Sequence, residues 1–100
     1  MNSYQFTPEA AGDLLEIWCY IAEDDSDVAD RVEHAIHTAA ALLAENPLLG
    51  SIRRDLTPLP VRFWLVQPYR KYWMIYNPEF KPLQIIRILH AARDVVPLLK

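Results

Sequence analysis

Cysteine is nearly missing from this chain. Cys19 is the single example, so no intramolecular disulfide can form and a reducing compartment is expected. Charge interrupts every apolar run well before the roughly 18 residues that a membrane span needs. Met1 to Gln5 has neither a basic nor an apolar region, so a signal peptide is not expected and the cytoplasm is. Repeats, low-complexity tracts and linkers are also lacking, which leaves residues 1–100 to be read as one domain around one small core. Basic residues are scarce in the first half, where Arg31 stands alone among ten carboxylates, for a charge of −9. The second half reverses this with nine basic and three acidic residues, +6, and the whole chain carries −3. So unequal a division expects a basic surface facing a polyanion or an acidic partner.

What the chain does contain is 52% hydrophobic and 23% charged residues, a globular composition. Ser3 to Phe6 alternates and reads as a short strand. Thr7-Pro8-Glu9 then opens a helix: a capping hydroxyl, a proline suited to the first turn, and a carboxylate at the positive end of the dipole. Ala10, Leu14, Ile17, Trp18 and Ile21 recur at helical spacing on one face. The acidic run Glu23 to Asp27 breaks the pattern and caps a second helix, which Val28, Val32, Ala35, Ile36, Ala39 and Leu43 carry to about Glu45. Asn46-Pro47 stops it. Two long helices joined by a short turn form an antiparallel hairpin.

Beyond Pro47 the pattern changes. Arg53-Arg54 sits in an irregular segment, and Val61–Val66, Lys71–Tyr76 and Leu83–Leu89 are β-branched and aromatic runs separated by turn signals. The expected fold is α+β: a short N-terminal strand, then the helical hairpin packed on one face of a mostly antiparallel sheet of three to four strands. Asp94 to Lys100 is expected to form one helical turn.

Alternation along the strands places Val61, Phe63, Leu65, Ile86 and Ile88 toward the helices. The opposite parity holds Arg62, Trp64, Arg70, Tyr72, Met74, Tyr76, Ile85, Arg87 and Leu89 on a face that no sequence element covers. Cations interleaved with rings on such a surface point to a macromolecular partner. Arg62, Trp64, Arg70, Tyr72, Arg87 and Arg93 are therefore the candidate partner-binding residues. His90, where the last strand ends, reads first as a lock on the backbone or on Asp94. Arg93 pairs with a carboxylate or binds the partner. Arg87, a charge in an apolar strand, has to reach water, a carboxylate or a partner. His34 and His37 share a helix face, but nothing completes a ligand set with them, so neither a metal nor a cofactor is expected.

The order of these features, from Thr7-Pro8-Glu9-Ala10 through Ile17-Trp18-x-Tyr20-Ile21-Ala22, Asn46-Pro47 with Gly50, and Tyr69-Arg70 to Arg87-Ile88-Leu89-His90-Ala91-Ala92-Arg93-Asp94, resembles the ParE/RelE family of type II toxin–antitoxin toxins, on the ParE side. The resemblance spans nearly the whole chain. It implies a bacterial cytoplasmic toxin held inactive in a hetero-oligomer by a cognate antitoxin. For the ParE branch it implies DNA gyrase as the target, and for the RelE branch the ribosome and its mRNA, which the toxin cleaves. Cleavage needs a base, cations for the developing phosphorane and an acid. Arg70, Lys71, Arg87, His90 and Arg93 are the residues available for it, with His90 as the acid or base. The ribonuclease branch carries a catalytic Tyr, or a His-Tyr or His-Phe pair, near the chain end, and here no Phe, Tyr or Trp follows Phe80. The sequence therefore favours a gyrase poison that breaks no bonds itself.

Overall fold

The computed structural model describes residues 3–92. The elements run β1 (Tyr4–Phe6), α1 (Pro8–Ala22), α2 (Ser26–Glu45), β2 (Arg62–Leu65), β3 (Tyr72–Asn77) and β4 (Leu83–His90). The helix boundaries fall where the capping chemistry puts them. Thr7 Oγ1 accepts the Ala10 amide at 3.1 Å, and Asp25 Oδ1 accepts the amides of Asp27 and Val28 at 2.9 and 3.2 Å. Asn46 closes α2 just before Pro47.

The sheet order is β1-β4-β3-β2. β2, β3 and β4 form an antiparallel meander, while β1 joins β4 in parallel, Tyr4 opposite Leu83 and Phe6 opposite Ile85. The sheet is thus mixed. Thr7 secures the crossover into α1, its amide reaching Ile85 O at 3.0 Å and its hydroxyl donating to Ile86 O at 2.8 Å. The helical hairpin covers one face of this sheet. α2 meets its neighbours largely through alanines (Ala35, Ala39, Ala40 and Ala44 are all buried), which lets the layers approach closely.

The structure reverses most of the expected assignment of sheet faces, although Ile88, expected toward the helices, and Leu89, expected away from them, lie as expected. Tyr72, Met74, Tyr76, Ile85 and Ile88 pack under the helices, with Trp64 half-buried beside them. Val61, Phe63, Ile75 and Leu89 form a second cluster on the other side with Leu56, Trp73 and Ile86. Two physical causes account for the reversal. Both faces are apolar, so alternation alone cannot say which one the helices take. The register also slips between Ile75 and Tyr76: Ile75 pairs with Arg87 and Tyr76 with Ile85, leaving Ile86 as an extra residue. That bulge moves β4 out of step, so that Ile85 and Ile88, three apart, share one face. Val61 and Phe63 therefore lie away from the helices, and the ring-and-cation face expected to be uncovered is largely core.

Candidate functional site

Of the six side chains expected to share one surface, the five among the described residues are dispersed. Arg62 serves its own backbone: Nη1 donates to Gly50 O at 2.7 Å and to Leu48 O at 3.3 Å, pinning the segment before β2. Trp64 is half-buried against the helix-side core. Arg70 is exposed in the turn between β2 and β3, with a φ of 54°. Tyr72 is buried at the start of β3, facing His90 edge-on at 5.6 Å. Arg93 lies outside the described residues, as does the helical turn expected over residues 94–100.

Arg87 reaches a carboxylate of its own chain. Its Nε and Nη2 donate to Asp13 Oδ2 and Oδ1 at 2.7 and 2.8 Å, and the Ile88 amide donates to the same carboxylate at 3.0 Å. Asp13 thereby caps the edge of β4 just beyond the end of β1. The hydrogen bonds that Arg87 donates to Asp13 raise the Arg87 pKa, against the opposing effect of burial, and the negative charges of Asp13, Glu9 and Glu16 add to the rise. His90 is held as the sequence reading expected, its Nδ1 accepting the Ala92 amide at 3.1 Å. His37 is structural too, bonded through Nδ1 to the Tyr4 hydroxyl at 2.8 Å. Among the described residues no group of metal-ligating side chains is found, and no helix is long and apolar enough to cross a membrane.

A different set does converge. Where β3 begins and β4 ends, a groove of about 500 Å³ opens between the sheet and the helical hairpin. Asp13, Glu16 and Tyr20 line it from α1, Val28 and Val32 from α2, and Tyr69, Lys71, Tyr72 and His90 from the sheet end. Tyr20 is 77% exposed at its mouth. Burial, and then the proximity of Tyr20, push the Tyr72 phenol above its ordinary 10.0, so it remains a neutral donor under physiological conditions. Three phenols, an ammonium and an imidazole beside two carboxylates suit a peptide that brings both apolar and charged side chains. The sequence reading singled out Tyr72, His90 and, as a cation for cleavage, Lys71, but gave no site role to Asp13, Glu16, Tyr20 and Tyr69. The signal was available in part, because Asp13, Glu16 or Ile17, and Tyr20 follow one helical stripe that leads away from the core.

The family model described as ParE toxin of type II toxin–antitoxin system, parDE, matches residues 4–95. A solved structure of the chromosomal ParDE TA system from P. aeruginosa shares the fold. Its TM-score is 0.72 at 24% identity, over 90% of this chain and 96% of the other. No curated protein sequence is significantly similar to this one.

Proposed function

Given that the chain belongs to the ParE toxin family of type II toxin–antitoxin systems, we propose that it arrests growth by binding DNA gyrase, without cleaving RNA, and that a cognate antitoxin neutralises it by seating a segment in the groove at the β3–β4 end. The observation that carries the non-nucleolytic reading is the pairing of Arg87 with Asp13. A guanidinium held through two hydrogen bonds by a carboxylate, with Glu9 and Glu16 close by, is poorly placed to stabilise a second anion such as a phosphorane. The groove gathers His90 and Lys71 but neither Arg70 nor Arg87, so among the described residues those named for cleavage do not all line it.

The test is to incubate the purified chain with gyrase and supercoiled plasmid. Accumulation of linear, protein-linked DNA is expected, and addition of the antitoxin should abolish it. In induced cells the 5′ ends of transcripts should stay unchanged. Cuts phased to codons would overturn this reading in favour of a ribosome-dependent ribonuclease. That alternative draws on the clustering of Lys71, His90 and three tyrosines in the groove, a set able to stack bases and contact phosphate.

A further inference from the structure

Eight large hydrophobic residues are exposed among the described residues, and five of them, Leu48, Leu49, Ile52, Leu59 and Phe80, belong to the segment before β2 and the turn between β3 and β4. Leu48, Ile52 and Leu59, exposed by 70, 49 and 42%, rim a depression of about 240 Å³ with Arg54, Pro60, Arg62 and Pro78. Phe80 adjoins it across Pro78. The strand register puts this platform at the opposite end of the sheet from the groove: Arg62 pairs with Tyr76 here, whereas Tyr72 pairs with His90 there.

An apolar loop of this kind is usually mobile, but this one is fastened. The buried Tyr76 hydroxyl donates to Pro47 O at 2.7 Å and accepts the Gly50 amide at 2.8 Å. Arg62 holds Leu48 O and Gly50 O from the other side, and Ser51 exchanges two backbone bonds with Phe63 at 2.8 and 2.9 Å. A loop fixed in advance loses little conformational freedom when something docks on it. The charge around the rim is cationic. Arg53 is neutralised by Asp55, but Arg54 and Arg62 bond to carbonyl oxygens in this region, and Lys81 stands beside Phe80; Glu79 is the one carboxylate among the described residues that line the two depressions here.

We infer that this platform is where the chain docks on its protein target, which presents a bulky apolar side chain flanked by carboxylates. The inference rests on the gyrase reading above and assigns to gyrase a surface separate from the antitoxin groove.

Binding of the full-length chain to immobilised purified gyrase tests it. Leu48→Asp, Ile52→Asp and Arg54→Glu should each weaken binding by about tenfold or more, and added salt should weaken the wild type. Leu15→Asp, on the exposed face of α1, should bind as the wild type does. Circular dichroism confirms folding, with Ile52→Ser as the milder substitute should an aspartate unfold the chain. A wild-type chain that fails to bind gyrase overturns the gyrase reading and this inference together. A wild-type chain that binds, with platform variants equal to it, overturns the inference alone. Wild-type self-association in sedimentation that Ile52→Asp abolishes would assign the platform to a second copy of the chain, and would also overturn it.

Discussion

Asp13 of α1 and Arg87 of β4, seventy-four positions apart, are joined by two hydrogen bonds of 2.7 and 2.8 Å, and the same carboxylate accepts the next amide of the strand. The pair is mostly enclosed, with 11 and 21% of the two side chains exposed. Arg87→Ala should destabilise the fold by about 3 kcal/mol, because it strands a largely enclosed carboxylate. Asp13→Asn retains an acceptor and should cost less. Urea titrations of both single variants and the double variant would measure the coupling. Additive costs would mean that the pair contributes nothing of its own.

Gly50 and Tyr76 make a second sensitive contact. A Cβ at position 50 would lie 2.7 Å from the Tyr76 hydroxyl and 2.8 Å from its ring. Gly50→Ala should therefore cost about 1–3 kcal/mol through overpacking. Tyr76→Phe should cost a similar amount, since it leaves Pro47 O and the Gly50 amide without their partner. Thermal melts would check both, and an unchanged midpoint in either would count against the latch.

Stability should fall at alkaline pH. Burial holds the Tyr72 and Tyr76 phenols above their ordinary 10.0. In the unfolded chain they ionise near that value, while in the fold they keep their protons to higher pH. The stabilisation they give is complete below pH 10.0 and is lost as pH rises from there through the folded values. Denaturant midpoints measured from pH 8 to 11 should show the decline, and Tyr76→Phe should make it shallower.

Arg70 allows charge to be separated from folding. Its φ of 54° is a conformation that glycine adopts without steric cost, so Arg70→Gly should hold or raise stability, by up to about 1 kcal/mol. If the cation takes part in target binding, toxicity will drop while the melting temperature does not. If toxicity persists, Arg70 has no part in recognition.

Tyr20→Ala should weaken antitoxin binding by about tenfold or more with little change in stability, because the ring is exposed at the groove mouth. Titration calorimetry against the cognate antitoxin measures this, and wild-type affinity would remove the groove from the antitoxin interface.

The sequence exposed its element boundaries because local chemistry sets them: Thr7 and Asp25 as caps, Pro47 as a stop, β-branched and aromatic runs as strands. The sheet faces were hidden, since Phe63 and Met74 are equally apolar although they pack on opposite sides, and the extra residue Ile86 shifts the parity of β4. The candidate site was less legible still. Arg62 and Arg87 look like cations awaiting a partner, but their partners are backbone and carboxylate groups of the same chain, brought close only by the tertiary fold. Tyr20 and Tyr69 give no local sign that they meet across a groove.

The parallel docking of Tyr4–Phe6 on Leu83–Ile85 joins a segment to one that leaves the ribosome seventy-nine positions later. Thr7 waits for a carbonyl seventy-nine positions downstream, and Asp13 waits almost as long for its guanidinium. A nascent chain interrupted before Leu83 can build the helical hairpin but not the sheet edge that anchors it. Completion of the fold, and of any surface that depends on it, is thereby postponed until translation of this region is nearly finished, which gives a growing cell some margin against its own unfinished product.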